Sequence, residues 1–348
     1  YKNEISRCHN IQMAKKISLN SAYGAIGNQY FRYFDVKQAE AITLGGQLSI
    51  RWVERDVNRF MNKLLNTDNV NYVVASDTDS IYLKLDKLVE KVCKDKTPQQ
   101  ITDFLDKAAE EKIQKVIDDS FKNLAEYVNA YQQKMIMKRE AIANKGIWVA
   151  KKRYMMNVFD EEGIRFDIPK LKIMGVEAVK SSTPEVCRGK IKDAIRVIMN
   201  DNEDALIKFV KDFKEVFKSL SPEEVAFPRS CNNLGKYTNS SNIYNKGTPI
   251  HVKGALIYNH NIYKHKLSAK YPIIKDGDKI KFLMLKQPNV VKDTVISFST
   301  KIPYEFDLHK YVDYDMQFEK TFTDPLRFIL DSIGWKLERE ATLEAFFG

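Results

Sequence analysis

Residues 72–86, YVVASDTDSIYLKLD, set two aspartates between two runs of β-branched and aromatic residues. Such runs around a short polar segment predict a β-hairpin with Asp77 and Asp79 at its tip. Residues i and i+2 of a strand or tight hairpin project to one face, so we expect both carboxylates to point to one spot. Like charges held together favour a cation between them, and Mg²⁺ prefers oxygen ligands. A polar turn whose aspartates cap backbone amides would leave the same pattern.

The composition limits the classes of protein to which the chain can belong. The chain has 348 residues, of which 44% are hydrophobic, which is enough for about two or three domains. With 56 Lys and Arg against 46 Asp and Glu, the net charge of +10 favours a polyanionic partner such as nucleic acid. Four widely separated cysteines indicate neither a disulfide framework nor a zinc site. There is no apolar run near the roughly 18 residues of a membrane span, so we expect a cytoplasmic protein.

The first half mixes helical and strand patterns without strict alternation of strand and helix, which indicates an α+β fold. Helical patterns cover residues 4–24, 36–65 and 97–131. Residues 134–143 and 146–160 are predicted to be paired strands joined by a turn at Asn144-Lys145-Gly146.

The sequence changes character near Ser181. Ser182 and Glu185 have the spacing of a helix N-cap and its capping-box partner, and Ser221 with Pro222 and Glu224 repeats the device. Two helices are therefore predicted within residues 184–219. Beyond a turn-rich segment, the sequence predicts strands over 250–259 and 278–285 and a helix over 324–333. The second half is interpreted as a separate, mainly helical domain with a small β element.

One face of the first predicted helix has a chemically suggestive composition. Lys16, Asn20 and Tyr23 have i, i+4 and i+7 spacing, so they share one stripe. An ammonium, an amide and a phenol suit a triphosphate with a base above the ring. Taken alone, this stripe has the composition of an ordinary solvated helix face. It indicates a triphosphate site only because the same sequence also contains the paired aspartates.

Three motifs occur in a diagnostic order. KISLNSAYG at 16–24 fits K-x3-N-S-x-Y-G, SDTDS at 76–80 contains D-T-D-S, and KKRY at 151–154 fits K-K-x-Y. The chain thereby resembles the family B DNA polymerases, and most of all those of the T-even-type bacteriophages. The resemblance extends through REAI, LKIMG, SSTP and the terminal LEAFFG, and so covers essentially the whole chain.

The resemblance implies an architecture. Residues 1–28 would be the C-terminal half of the fingers, 29–183 most of the palm with its antiparallel sheet and helices, and 184–340 a mainly helical thumb. Residues 341–348 would be a peptide that binds a sliding clamp, through Leu343, Phe346 and Phe347. A terminal peptide of this kind tucked onto its own domain would have the same composition.

The resemblance also implies roles for residues near the aspartates. Asp79 would be the metal-binding palm aspartate, with Asp77 as its less strictly required partner, and the cofactor would be two Mg²⁺ ions. Lys16 and Asn20 would contact the incoming deoxynucleoside triphosphate, and Tyr23 would pack against the nascent base pair.

Other residues would hold the primer-template DNA or support the active site. Lys152 and Tyr154, with Lys151 and Arg153, would contact the primer strand. Glu140, Thr78 and Gly24 would support the active site. The basic runs Lys138–Arg153 and Lys264–Lys281 include residues that could follow the duplex backbone.

One family motif is missing. D-x-x-S-L-Y-P-S, which in the family supplies a second metal-binding aspartate, does not occur in the sequence, and neither do the exonuclease motifs. The chain thus resembles a C-terminal portion, and we expect an N-terminal polymerase chain as its partner, with no DNA synthesis by the isolated chain. We expect it in the cytoplasm of an infected bacterial host, whether the division is natural or engineered.

Two other functions are compatible with parts of the sequence. A non-catalytic DNA-binding or scaffold subunit derived from a polymerase would keep the fold, but it has no physical need to keep all three motifs together. A metal-dependent nuclease could use Asp77 and Asp79, but it would not use the Lys16, Asn20 and Tyr23 stripe.

Overall fold

The computed structural model describes residues 1–176, 178, 180–239 and 241–337. The chain forms two compact units: Tyr1–Ile142 with Phe159–Asp167, and Ala143–Val158 with Ile168–Gly348. Helices are combined with small antiparallel sheets, which confirms the α+β class. None of the helices in the described part of the chain has the length and apolar character that a membrane span requires.

The first unit is built from helices around one short hairpin. Its helices are α1 (Lys2–Ile26), α2 (Val36–Leu65), α3 (Asp86–Val92), α4 (Pro98–Ala108) and α5 (Gln114–Tyr127), with a π-helical turn at Ala109–Ile113 between the last two. Strands β1 (Val73–Asp77) and β2 (Ser80–Leu83) form the hairpin. The helices and the hairpin predicted for this region are confirmed.

Helix α2 organises the core of this unit. It begins at Asp35, whose carboxylate accepts hydrogen bonds from the amides of Lys37 and Gln38. Val53, Val57 and Met61 follow one another at i, i+4 spacing and are completely buried. They pack with Ile117 and Phe121 of α5 and with Tyr72 and Val73 at the start of the hairpin, all of them buried. The base of the aspartate hairpin is therefore part of a hydrophobic core.

A three-stranded sheet follows, in the order β3 (Ala141–Ala150), β4 (Arg153–Glu161), β5 (Ile164–Met174). The predicted turn at 144–146 is wrong: β3 runs straight through these residues, and residues 134–140 are not a strand. Gly146 is needed for packing and not for a turn, because a Cβ there would lie 2.6 Å from the ring of Trp148. The chain reverses instead at Lys151 and Lys152.

The second unit contains a helical core. Helices α6 (Glu185–Asn200), α7 (Glu203–Lys218), α11 (Tyr314–Phe318) and α12 (Asp324–Leu330) surround a cluster of buried apolar and aromatic side chains. The predicted N-cap at Ser182 is wrong, because Pro184 occupies the N-cap position of α6. The capping box of Ser221 and Glu224 is present, but it begins only the short α8 (Pro222–Val225).

A second core of this unit lies between a helix and a sheet. Helix α10 (Ile250–Lys264) packs on a sheet of order β10 (Val295–Phe298), β9 (Lys279–Met284), β6 (Phe227–Ser230). The short α9 (Leu234–Tyr237), β7 (Thr238–Asn239) and β8 (Ile243–Tyr244) lie between β6 and α10 in sequence. The strand predicted over 250–259 is wrong, because burial of nearly the whole circumference of α10 removes the helical periodicity from its sequence.

Candidate functional site

Asp77 and Asp79 lie at the tip of the β1–β2 hairpin. Asp77 ends β1 and pairs with Ser80, which leaves Thr78 and Asp79 as a two-residue turn. Thr78 has a φ of 52°, and the Asp79 amide donates to the Asp77 carbonyl at 2.6 Å. Asp79 lies in the turn and not in the strand, so the tight hairpin reversal, and not strand alternation, sets the direction of its side chain relative to Asp77.

The turn presents oxygen ligands to solvent. Asp79 is exposed and Asp77 is half-buried, with one carboxylate oxygen accepting from the Thr78 hydroxyl at 3.0 Å. Carboxylate oxygens are the ligands that Mg²⁺ prefers, so the pair fits one side of a magnesium site. Across residues 1–176, 178, 180–239 and 241–337, no three acidic, histidine or cysteine side chains come together as a metal site. The hairpin thus offers part of a ligand set.

Two asparagines of α2 fix the base of the hairpin. The Asn58 side-chain oxygen accepts from the amides of Tyr72 and Val73 at 2.8 and 3.1 Å. Asn62 both accepts from the Val70 amide and donates to the Val70 carbonyl, at 3.0 and 2.7 Å. These bonds satisfy backbone groups before and at the start of β1, and they hold the entry to β1 against the helix. Sequence reasoning missed both residues, since a contact across about a dozen positions leaves no local pattern.

The stripe of Lys16, Asn20 and Tyr23 lies on α1, as predicted. All three side chains are exposed, and α1 has no buried residue along its whole length. Gly24 follows the stripe within the helix, where a Cβ would meet no atom within 4 Å. The local packing therefore does not require glycine at this position.

Residues 151–154, named here the KKRY turn, comprise the reversal at Lys151 and Lys152 and the first two residues of β4, Arg153 and Tyr154. Lys151 and Lys152 are exposed at the reversal, and Lys152 has a φ of 61°. Tyr154 stacks on Trp148 with ring centroids 6.1 Å apart, and the Arg153 guanidinium lies 4.4 Å from the centre of the Phe328 ring. Two lysines are thus presented on a turn whose flanking side chains are held by aromatic rings.

Comparisons with known proteins relate the chain to DNA polymerases. The chain is 35% identical over 351 residues to the DNA-directed DNA polymerase of Enterobacteria phage T4 and 38% identical over 350 residues to that of Escherichia phage RB69. By sequence, the chain corresponds to the C-terminal part of the T4-type family B DNA polymerases. Each alignment covers 97% of the chain but 38% of the phage protein, so the chain spans well under half the length of these relatives.

A more distant relative has a similar coverage. The DNA polymerase of Thermococcus gorgonarius is 26% identical over 333 residues, which are 94% of this chain and 35% of the archaeal protein. No family model matches the chain.

Glu140 lies immediately before β3 and is anchored through its backbone, since its carbonyl accepts from the Glu162 amide at 2.7 Å. Its neighbour Arg139 belongs to an ion-pair network that sequence reasoning missed. Asp160, completely buried, accepts from both Arg139 and Arg165, and Asp106 of α4 contacts the same two arginines at 2.8 and 2.7 Å. Burial opposes the charge on Arg165, but its bonds to Asp106 and Asp160 outweigh that effect and raise its pKa.

A cavity of about 340 Å³ in the second unit adjoins the KKRY turn. Its lining includes four cationic side chains, Arg153, Lys180, Arg229 and Lys320, and one carboxylate, Asp324, which pairs with Lys320 at 2.9 Å. The cavity thus places three further cationic side chains, Lys180, Arg229 and Lys320, near Arg153 of the KKRY turn. The predicted clamp contacts Leu343, Phe346 and Phe347 lie outside the described residues.

Proposed function

We propose that this chain supplies the catalytic hairpin, the triphosphate-binding helix and the primer-binding turn of a DNA-directed DNA polymerase. The observation that carries the proposal is the collinear match to the phage polymerases over 97% of the chain, which contains all three motifs in order. The exposed position of the Asp77–Asp79 turn above a packed base supports it, because a metal site needs accessible oxygens on a rigid support.

In this proposal Asp79 and Asp77 hold Mg²⁺ at the hairpin tip. When bound, Mg²⁺ would neutralise the carboxylates and stabilise the attacking and leaving oxygens of nucleotidyl transfer. The residues of this chain would orient the reactants, namely the primer 3′-hydroxyl and the α-phosphate of a deoxynucleoside triphosphate. Thr78 would direct the Asp77 carboxylate through the hydrogen bond described above. Glu140, set by its backbone bond to Glu162, would lie beside this site.

The triphosphate and the primer would be held by separate elements. Lys16 and Asn20 would contact the phosphates from one stripe of α1, with Tyr23 against the base pair. Lys152 and Tyr154, with Lys151 and Arg153, would contact the primer strand, and the net charge of +10 favours such a polyanion. On this proposal residues 1–28 are fingers, 29–183 palm and 184–340 thumb.

A second polypeptide region would complete the site. The sequence lacks D-x-x-S-L-Y-P-S, and the hairpin provides only two of the oxygen-bearing side chains that Mg²⁺ needs. Large apolar side chains on α1 and the first half of α2 are exposed, as expected of a surface that another polypeptide covers: Ile5, Ile11, Met13, Ile17, Leu19, Ile42, Leu44 and Leu48. We propose that an N-terminal polymerase chain with the missing motif binds there. A sliding clamp would bind the C-terminal peptide, a proposal that rests on sequence alone.

The test is reconstitution. The chain should extend a primer-template with Mg²⁺ and deoxynucleotides only when mixed with a polypeptide that carries D-x-x-S-L-Y-P-S. Asp79→Asn should then reduce incorporation by roughly 10³-fold or more, since it removes a metal ligand from the reacting centre, while DNA binding stays unchanged. Asp68→Asn, which alters an exposed loop aspartate near the base of the hairpin, is the matched control.

The same reconstitution experiment also tests a second candidate function. The net charge of +10 is equally compatible with a non-catalytic DNA-binding or scaffold subunit. Unchanged incorporation by Asp79→Asn in the reconstituted pair would leave only that function, whereas robust extension by the chain alone would contradict the need for a partner.

A further inference from the structure

Gly175, directly after β5, lies against the backbone of the KKRY turn. A Cβ on Gly175 would be 2.2 Å from the carbonyl oxygen of Lys152 and 3.1 Å from the Cγ of Arg153. The first distance is far inside van der Waals contact, and the obstacle is a backbone atom that cannot rotate away. Gly175 also has a φ of +66°, a conformation that side chains disfavour. Only glycine fits here without moving the turn.

The turn itself has little tolerance for movement. Lys152 adopts the left-handed conformation, with a φ of 61°, although it is neither a glycine nor an asparagine, and side chains disfavour this conformation. Residues on both sides are fixed by rings, through the Trp148–Tyr154 stack and the Arg153–Phe328 contact. A shift of the Lys152 carbonyl would therefore change the direction of Lys151 and Lys152 relative to Tyr154.

We propose that Gly175 is a positioning residue for primer-template DNA, which fixes the KKRY turn through the close approach of the two backbones. The inference rests on the proposed function, since it assumes that Lys151, Lys152 and Tyr154 contact DNA. Gly175 touches no DNA on this proposal. It acts by holding the Lys152 carbonyl, and with it the direction of the side chains that do.

The matched comparison is Gly175→Ala with Gly247→Ala. Gly247 has a φ of +84° in the same unit, but a Cβ there would meet nothing within 4 Å. Alanine at position 247 therefore causes the same kind of backbone strain without the collision. A difference between the two variants measures the effect of the close approach alone.

Binding of a labelled primer-template duplex to the full chain would be measured by fluorescence anisotropy over a range of salt concentrations. Gly175→Ala should weaken binding roughly tenfold at low salt, the size expected for a lost charge-assisted contact. The slope of log affinity against log salt should fall by about 1, as for a lost phosphate contact. Gly247→Ala should leave both unchanged, and Lys152→Ala should reproduce the change in slope.

Amide hydrogen exchange, read peptide by peptide, gives a readout that does not depend on DNA. Gly175→Ala should accelerate exchange in the peptide that contains the KKRY turn and leave β9 and β10 protected. Accelerated exchange in β9 and β10 as well would overturn the inference, because Gly175 would then be a residue of the general fold.

Different results would contradict the proposed function and the positioning role of Gly175. If Lys152→Ala weakens DNA binding while Gly175→Ala behaves as Gly247→Ala does, the positioning role is overturned and the proposed function stands. If Lys152→Ala leaves DNA binding unchanged, or the chain does not bind the duplex, the primer-contact assignment fails and the role of Gly175 fails with it.

Discussion

Asp160 is a buried carboxylate whose charge is balanced by two arginines. It ends the apolar run MMNVF of β4, has no exposed surface, and accepts from Arg139, Arg165 and the amide of Gly163. A buried charge persists only when it is paired and hydrogen-bonded. The network therefore joins the segment next to Glu140 to the β4–β5 hairpin.

Asp160→Ala should lower the free energy of unfolding by about 3 kcal/mol, because it leaves Arg139 and Arg165 without their buried partner. Asp103→Ala is the control, since Asp103 contacts the same Arg165 at 3.1 Å but is 68% exposed, and its loss should cost under about 1 kcal/mol. Urea unfolding measures both. Equal losses in the two variants would mean that burial of Asp160 is unimportant for stability.

The sequence located the aspartate hairpin better than it predicted the contacts that support it. The D-x-D pattern located the hairpin tip, but strand alternation does not apply to Asp79, because the reversal takes place at Thr78 and Asp79 themselves. Asn58, Asn62 and Asp160 escaped sequence reasoning because their partners are distant in the chain. Such contacts depend on the fold and leave no local spacing to recognise.

At the scale of elements, apolar periodicity predicted the helix that buries one face, but it failed for the helix that is buried on nearly all sides. Helix α2 was predicted at its observed bounds, and its buried positions Ser49, Val53, Val57 and Met61 recur every four residues on one face. Helix α10 buries Val252, Gly254, Ala255, Leu256 and Ile257 in succession, together with other positions, so its sequence has the appearance of a strand. Gly146 suggested a turn because the sequence alone does not distinguish a glycine that leaves room for a neighbouring ring from a glycine that a turn requires.

Gly254 shows why α10 contains a residue that weakens helices. A Cβ there would lie 2.5 Å from the Ser297 hydroxyl and 2.8 Å from the Ser297 amide of β10. Gly254→Ala should therefore destabilise the chain by about 1–3 kcal/mol, because overpacking exceeds the gain of up to about 1 kcal/mol in helix propensity.

Gly189→Ala is the opposite case within the same unit. Gly189 is exposed in α6 with no atom within 4 Å of a Cβ, so alanine should stabilise by about 0.5–1 kcal/mol. Thermal unfolding followed by circular dichroism measures both changes in stability, the loss expected for Gly254→Ala and the gain expected for Gly189→Ala. A stabilising Gly254→Ala would show that α10 can move away from β10 at little cost.

At the scale of the whole molecule, α1 differs from the other long helices. It has 25 residues and no buried side chain, whereas α10 buries eight residues in 15. Helices in proteins are stabilised mainly by packing of an apolar face, which α1 lacks among the described residues. On the proposed function, the polypeptide that carries D-x-x-S-L-Y-P-S would cover this helix.

Hydrogen exchange would detect that coverage. In the isolated chain, amides of Lys2–Ile26 should exchange faster than those of Ile250–Lys264, because few packed contacts oppose opening of α1. Adding a polypeptide that carries D-x-x-S-L-Y-P-S at about 100 times its Kd should slow exchange in α1 about a hundredfold, the factor that mass action predicts for a segment ordered by binding. Exchange in Ile250–Lys264 should not change, since that helix is already packed. Protection of α10 without protection of α1 would mean that the partner binds elsewhere, and the exposed apolar side chains of α1 would then need another explanation.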